Sequence, residues 1–517
     1  MTTPRWRALL SSAPLALLLL LPLLVVATAP LHTSATEWAF VRSTLLPTLL
    51  ADTALLVLRT VLLALVLGVS TAWLVTANDF PGRRIFRWSL VLPLALPTYI
   101  SAITFADLWG PTGRLSRQVA EALGVHIDVL TPGGLSCVLA FVLFPYVYLP
   151  ARAAFSAGMS EQLDAARMLG GGALRRAFRV AFPLAAPAIA GGALLVCMEV
   201  LNDYGAVKHY GVRTLTAGIF RAWGGLYDRG SALRIGGILL LLVLVLMVLG
   251  RAADRGRQRA VSGRRLRPVP LRGLRRWLAT GWCAAVLTVS FAMPVIALGI
   301  DAFRTRAIHA ALDFLPATGN TLLIGGLSAL FTLLVALVLS YHQRRTGSGS
   351  AQVAAIGYVV PGAVIAIGVM ALGGALTDLT GMLVIGSIGL MVYAFMVRFL
   401  ALAMQPLQAG LRQQPLALDE SARLLGAPPW RTFLQVNLPM LRPSLLAAAL
   451  LVLMEVVKEL PLTLILRPFD TDTLSTKVFE MARIEQWADA AMPALLIVLC
   501  GLVPVLLLDR LLDRPAR

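Results

Sequence analysis

Charged residues are scarce in this sequence, while apolar residues are abundant. Asp, Glu, Lys and Arg make up only 14% of the 517 residues, whereas 58% are hydrophobic. A soluble chain of this length would normally form several domains with charged surfaces. Apolar runs long enough to cross a bilayer recur here from end to end. The composition therefore excludes an ordinary soluble protein and predicts an all-α polytopic membrane protein.

Residues that commonly bind metals or form disulfides are also few. The four cysteines (Cys137, Cys197, Cys283 and Cys500) lie far apart in or beside apolar runs, and none forms a CxxC pair. Five scattered histidines show no metal-ligand spacing. The sequence contains neither a GxxxxGK[ST] phosphate-binding motif nor a nucleophile–base pattern. We therefore expect a non-enzymatic chain that binds no cofactor of its own.

The apolar runs predict twelve membrane spans, each of roughly 20 to 26 residues. The first run extends from about Leu9 to Leu31 and is longer than the core of a cleaved signal peptide, so we expect it to be retained. The predicted spans begin near Leu9, Asp52, Phe86, Gly134, Phe182, Leu233, Trp277, Gly319, Ala351, Met382, Asn437 and Ala490.

The formal net charge of +19 comes from short basic clusters between the spans. No aromatic residues suited to stacking on bases are interleaved with them, so nucleic acid is not an expected partner. Counting twelve spans places all the clusters on one side, which predicts cytoplasmic N- and C-termini. The clustered residues are Arg83, Arg84, Arg87, Arg344, Arg345, Arg510, Arg514, Arg517 and ten arginines between Arg251 and Arg276.

The sequence divides into two similar halves. The segment from Asp164 matches the segment from Glu420 without gaps, at an offset of 256 residues. The match continues into the next span, while Pro93 and Pro361 mark a similar pair upstream. Because each half contains an even number of spans, the repeat is parallel. The predicted units are a first permease half (1–250), a basic cytoplasmic linker (251–276) and a second half (277–517). A lipid- or partner-binding role of the linker remains an alternative.

The matched segments lie in the loops after spans 4 and 10, on the basic side. In the second copy, residues 419–425 predict a short helix with acidic residues at its N-terminus. Gly426 permits a turn, and Pro428 and Pro429 suit the start of another helix. We call each such helix–turn–helix an elbow. Two elbows with outward apolar side chains predict docking to a two-fold soluble partner, whereas a single one would equally suit a plain surface loop.

Both elbows resemble the EAA loop of importer-type ABC transporter permeases, which has an acidic residue, two alanines, a glycine and a later Leu-Pro. This resemblance assigns ATPase docking to Asp164, Ala165, Ala166, Gly170, Glu420, Ser421, Ala422 and Gly426. Asp164 stands in place of Glu, Ser421 in place of Ala, and Phe182 precedes the first proline.

Across nearly the whole chain the resemblance narrows to fused iron(III)-type permeases. It rests on segments such as LPLALPTYISAITFADLWGPTG and MEVVKELPLTLILRPFDTDTLSTKVFE. It implies a type I ABC importer-like fold in a bacterial inner membrane, a separate ATPase dimer that uses ATP, and a periplasmic or lipoprotein substrate-binding protein. Thiamine and organophosphonate permeases are similar and remain alternatives. An ion-coupled secondary transporter is disfavoured by the paired elbows and the parallel repeat.

Two pairs of carboxylates lie within predicted spans. Glu199 and Asp203 are four residues apart in span 5, as are Glu455 and Glu459 in span 11, so each pair is predicted to share a helix face. Intramembrane carboxylates usually face a bundle interior or a water-filled path, and oxygen donors suit a hard cation. We expect all four to line the passage. The structural alternative pairs Glu455 with Lys458 and places all four near the external surface.

Overall fold

The computed structural model describes residues 5–29, 35–156, 159–170, 172–255, 268–305, 313–346 and 355–512, and most of these are helical. Two short strands in this part of the chain, Asn78–Asp79 and Val269–Pro270, pair in parallel. They join the loop after span 2 to the end of the basic linker. Residues 256–267 of the linker lie outside the described residues, as do Arg514 and Arg517 at the C-terminus.

The first half consists of α-helices joined by short π- and 3₁₀-helical turns. Its α-helices are Arg5–Thr28, Ala35–Phe40, Leu46–Ala77, Arg83–Ser89, Thr98–Trp109, Arg114–Leu123, Pro132–Leu143, Pro145–Ser156, Ser160–Met168, Ala173–Arg176, Phe182–Asn202, Gly205–His209, Leu215–Phe220 and Arg229–Arg255. Its π-helical turns are Val41–Leu45, Ala177–Ala181 and Arg221–Gly225, and its 3₁₀ turn is Leu92–Ala95.

The second half repeats this order. Its α-helices are Leu274–Leu287, Met293–Arg304, Leu315–Thr346, Gly362–Thr380, Ile388–Gln413, Leu416–Leu424, Pro429–Thr432, Leu438–Met440, Arg442–Lys458, Pro461–Leu466, Leu474–Arg483 and Ala491–Leu512. Thr288–Ala292 and Phe433–Asn437 are π-helical, and Ala355–Val359 is 3₁₀-helical.

Each of the twelve predicted spans has a helix, or a bent pair of helices, at its position. Within the described residues, seven helices are long and apolar enough to cross a membrane, three bent pairs pass the same test together, and two shorter apolar helices occupy the positions of spans 1 and 12. The prediction of an all-α polytopic protein is confirmed. Many outward side chains on these helices are large and apolar, as lipid contact requires.

Several spans differ in detail from the prediction, and spans 4 and 11 bend by 43° and 75° along their lengths. Span 3 is not continuous, because its two parts, Arg83–Ala95 and Thr98–Leu123, meet at an angle of 94°. Span 9 begins only at Gly362, since Pro361 has extended backbone and precedes the helix, while Ala351 lies outside the described residues. Span 10 begins at Ile388 and not near Met382, because Gly381 closes the preceding helix in the left-handed conformation.

The structure also corrects the alignment of the prolines in spans 3 and 9. Pro97 (φ −58°, ψ 141°) and Pro361 (φ −55°, ψ 140°) each follow a 3₁₀ turn and directly precede a helix. Pro93 instead lies inside its 3₁₀ turn. The structural equivalent of Pro361 is therefore Pro97, because the shared break in the helix is what a proline at this point produces.

One span of each half packs against the other half as well as against its own. Thr98–Trp109 of span 3 packs against Met293–Arg304 and Leu474–Arg483 of the second half, and the turn before it packs against Ala491–Leu512. Gly362–Thr380 of span 9 makes the reciprocal contacts with Arg5–Thr28 and Arg229–Arg255 of the first half. One continuous core of buried apolar side chains results, and it includes residues of both halves.

Candidate functional site

Both elbows turn at the predicted glycines. Ser160–Met168 in the first half and Leu416–Leu424 in the second are short helices that end just before Gly170 and Gly426. These glycines have φ values of +74° and +80°, in the left-handed region that side chains with a Cβ rarely adopt. The predicted turn is confirmed in both halves.

Each elbow presents a pair of bare apolar side chains at its tip. Met168 and Leu169 are 90% and 89% exposed, and their equivalents Leu424 and Leu425 are 89% and 88% exposed. The acidic residues Asp164 and Glu420 are also exposed. Two such apolar tips at matched positions have the form of knobs that fit a complementary groove.

A cavity lies between the halves, at the ends of spans 5 and 11 that are farther from the elbows. It is lined by residues of both halves, including Pro97 with the start of the helix that follows it and Pro361 with the residues that precede it. All four predicted carboxylates line it. Its charged side chains are Glu199, Asp203, Arg398, Glu455, Lys458 and Glu459.

The first half contributes two carboxylates without cationic partners. Among the described residues, neither Glu199 nor Asp203 lies within 4.0 Å of a basic side chain. The hydroxyl of Tyr146 donates to Glu199 Oε1 at 3.4 Å. Asp203 Oδ1 accepts from the backbone N–H of Ala206 at 2.9 Å, while Oδ2 is buried beside Thr98 without a well-formed hydrogen bond.

The second half pairs both of its carboxylates. Lys458 Nζ lies 2.8 Å from Glu455 Oε1, as the structural alternative predicted. Arg398 Nη2 lies 3.5 Å from Glu459 Oε2, and Nη1 donates to the carbonyl of Val360 at 3.0 Å. Arg398 and Glu459 are both buried, so their charges compensate each other where water is largely excluded.

The repeat shows where this asymmetry arises. At the offset of 256 residues, Val142 and Asn202 occupy the positions of Arg398 and Lys458. Asn202 instead accepts the backbone N–H of Gly362 at 2.9 Å and so joins the two halves. Four carboxylates therefore face two cations, and the excess negative charge belongs to the first half.

The prediction that each carboxylate pair shares a helix face is wrong. The helices end at Asn202 and Lys458, so Asp203 (ψ 128°) and Glu459 (ψ 122°) have extended backbone just beyond them. Glu459 accepts the N–H of Leu462 at 3.2 Å, just as Asp203 accepts that of Ala206. Both side chains thus cap the short helix that follows, and this capping interaction stabilises the break.

The carboxylates surround the cavity without converging on one point. Among the described residues, no group of three or more His, Cys, Asp and Glu side chains is placed to hold a metal ion. Carboxylates outnumber basic side chains at the cavity, but in this conformation they do not form a chelating site.

Sequence reasoning did not single out Arg398 or Tyr146. Arg398 carries a charge in the middle of an apolar span, and that signal alone marks a functional or structural site. Tyr146 carries no comparable signal, because an aromatic residue in a span is ordinarily apolar packing. The two halves are also joined after span 3, where Arg114 lies 2.7 Å from Asp107 of its own half and 2.7 Å from Asp301 of the second half.

Comparison with known proteins agrees with this architecture. The family model "Binding-protein-dependent transport system inner membrane component" matches residues 64–259 and again residues 323–517. The two matches confirm the repeat, and they cover well over half of the chain.

The chain is also similar to individual permeases. It is 28% identical over 475 residues to the Fe(3+)-transport system permease protein FbpB 2 of Haemophilus influenzae. This alignment covers 89% of each chain. It is 31% identical over 186 residues to a probable sulfate transport system permease protein of Chlorokybus atmophyticus, covering 35% of this chain and 64% of that one. The corresponding protein of Salmonella typhimurium is 30% identical over 142 residues, 28% of this chain and 50% of its own. The chain is a multi-pass membrane protein that belongs to the family of binding-protein-dependent transport system inner membrane components.

Proposed function

We propose that this chain is the translocation subunit of an ATP-driven importer that carries iron(III) into the cytoplasm. The observation that carries the proposal is the cavity between the halves, where Glu199 and Asp203 remain uncompensated. An excess of carboxylates in a partly desolvated site lowers the energy of a passing cation and raises that of an anion. The similarity to the Fe(3+)-transport permease over 89% of both chains supports the same cargo.

The two elbows support docking of a separate ATPase dimer on the cytoplasmic side. Their exposed apolar tips are equivalent, so a partner with two-fold symmetry can bind both at once. Closure of the dimer would then move the two halves against each other as rigid bodies. The cavity would open alternately to the two sides, and a substrate-binding protein would deliver the cargo from outside.

The orientation has its own test. A cysteine at Arg272, in the described part of the linker, should resist an impermeant thiol reagent in intact cells, whereas one at His126 should react. Both positions are exposed in the structure, and Cys137, which is also exposed, must be replaced first. Reversed labelling would place the elbows outside and remove the docking proposal.

An oxyanion cargo is the second candidate. The matches to sulfate permeases and the presence of Arg398 and Lys458 in the cavity favour it. Both cations are already paired with carboxylates, which leaves no net positive charge to attract an anion.

Reconstitution separates these candidates. The chain, its ATPase and its binding protein would be placed in lipid vesicles, and ATP-dependent uptake of radiolabelled iron(III), sulfate and thiamine would be compared. We expect accumulation of iron(III) alone, abolished by omitting ATP. Accumulation of sulfate or thiamine in place of iron(III) would refute the assigned cargo, and uptake without the ATPase would refute the importer class.

A further inference from the structure

A buried ion pair attaches the second elbow to span 8, the helix Leu315–Thr346. Arg344 Nη2 lies 3.1 Å from Asp419 Oδ2, and Arg344 Nε donates to the same oxygen at 3.2 Å. The two side chains are only 8% and 15% exposed. Because Asp419 belongs to the elbow helix Leu416–Leu424, this pair connects the elbow directly to a membrane span.

Further hydrogen bonds extend this attachment. Arg344 also donates to the backbone carbonyls of Leu411 and Gln414, at the end of span 10. Asn437, which is 1% exposed, donates through Nδ2 to Asp419 Oδ1 at 2.9 Å. Gln414 Nε2 in turn donates to the Asn437 carbonyl at 3.2 Å. The network therefore joins span 8, span 10, the elbow and the segment entering span 11.

Among the residues that the structure describes, the equivalent positions of the first half form no such network. Thr53 and Thr321 fix the register of spans 2 and 8, because each accepts the N–H of an equivalent leucine at 2.9 Å. In that register, Thr76 is the equivalent of Arg344. In the elbow repeat, Leu163 is the equivalent of Asp419 and Ala181 that of Asn437.

Apolar packing takes the place of the ion pair in the first half. Leu163 and Ala181 are buried, and Trp73, Phe155 and Phe182 form a cluster with ring centroids 5.3 to 5.9 Å apart. The elbow helix of the first half is thus buried through the apolar Leu163, whereas that of the second half is held by an ion pair at Asp419. An ion pair with fixed hydrogen-bond geometry specifies one orientation, whereas apolar side chains can repack.

We propose that Arg344, Asp419 and Asn437 are positioning residues that fix the orientation of the second elbow relative to span 8. They hold the exposed tip formed by Leu424 and Leu425 at one angle, so that movement of a docked partner is passed to the second half. The transport consequence rests on the proposed function, whereas the anchoring itself does not.

The anchoring is tested on the full chain in lipid vesicles by electron paramagnetic resonance. A nitroxide is attached at Leu425→Cys or, as an internal reference, at Leu169→Cys, after replacement of the four native cysteines. Arg344→Gln and Asp419→Asn should shorten the rotational correlation time at the second elbow by about twofold, because the elbow loses its fixed attachment. The label on the first elbow should not change.

Two further variants distinguish anchoring from a general disturbance. Arg345→Gln removes the same charge from the neighbouring, exposed position and should alter neither spectrum. The triple variant Arg344→Thr, Asp419→Leu, Asn437→Ala introduces the residues of the first half. It removes the whole network without leaving a buried charge unpaired, so it should also mobilise the label at the second elbow and show that the lost attachment, not an unpaired charge, is the cause.

The transport arm measures iron(III) taken up per ATP hydrolysed. Arg344→Gln should lower this ratio about tenfold while the ATPase still co-purifies, and the triple variant should not restore it. An unchanged spectrum for Arg344→Gln or for the triple variant would overturn the proposed anchoring. A mobile elbow in Arg344→Gln together with no ATPase binding to the parent chain would leave the anchoring intact and refute the proposed docking.

Discussion

Glu199 and Glu455 occupy matched positions near the ends of spans 5 and 11, yet only Glu455 has an ammonium group beside it. The same contrast holds for Asp203 and Glu459, since Arg398 pairs only with Glu459. The repeat has conserved the backbone breaks that bring these carboxylates to the cavity, while the cations occur in one half. At the cavity the two halves therefore share their backbone breaks but differ in their ion pairs.

The elbows show the same separation between shape and chemistry. Gly170 and Gly426 have nearly the same φ, and the tips that they expose are equally apolar. Behind these tips, one elbow buries the apolar Leu163 and the other is held by the ion pair of Arg344 and Asp419. A surface that must fit a two-fold partner is constrained to be symmetric, whereas the interior that supports it is constrained only to be well packed and paired.

Among variants that test this difference between the halves, the largest expected effect is the loss of stability on replacing Arg398. Arg398→Met leaves Glu459 buried without its cation and should lower the free energy of unfolding by about 3–5 kcal/mol. The double variant Arg398→Met, Glu459→Gln removes both charges and retains an acceptor for Leu462, so it should recover most of this loss. Thermal denaturation of the purified protein measures both. Equal stability of the single and double variants would show that the pair does not compensate charge.

The elbow glycines should respond equally, because their geometry is equal. Gly170→Val or Gly426→Val forces a β-branched residue into the left-handed region at a cost of about 1–3 kcal/mol, although nothing lies within 4 Å of the added Cβ. Co-purification with the ATPase and uptake should both fall, at normal protein levels. Gly172→Val is the matched control, since Gly172 is equally open but does not have positive φ. Unchanged ATPase association after replacing both glycines would contradict docking at the elbows.

The smallest expected effect concerns the two walls of the cavity, the first wall carrying Glu199 and Asp203 and the second carrying Glu455 and Glu459. Glu199→Gln with Asp203→Asn removes two uncompensated charges, and a loss of about 1.4 kcal/mol in the rate-limiting barrier would slow iron(III) uptake about tenfold. Glu455→Gln with Lys458→Met removes an ion pair without changing the net charge and should leave uptake within about twofold. Initial rates at matched protein levels provide the measurement.

Equal rates for these two double variants would show that the walls are not functionally different. Full iron(III) uptake after neutralising the first wall would mean that Glu199 and Asp203 are not the cation path. Failure of that variant to assemble would instead favour the structural interpretation of these carboxylates.

Features that depend on short stretches of chain were predictable. The apolar runs located a helix or a bent pair of helices at each of the twelve predicted positions, and Gly170 and Gly426 predicted the elbow turns, because hydropathy and left-handed backbone are local properties. The break in span 3 was missed although Pro97 is visible in the sequence, since prolines within spans are often tolerated. The helix ends before Asp203 and Glu459 were missed for a related reason: a capping side chain looks like any other carboxylate until its helix is seen.

The sequence alone determined the positions of the long apolar helices, the parallel repeat, the two elbows and the presence of four carboxylates in and just after the helices of spans 5 and 11. Only the tertiary structure decided which of those carboxylates are compensated. Arg398 reaches Glu459 from another span, 61 residues earlier in the chain, so no local pattern could report the pair. The anchoring of the second elbow by Arg344, 75 residues before Asp419, was undetermined for the same reason. Charge pairing inside a membrane protein depends on which helices pack together, and packing is a property of the whole fold.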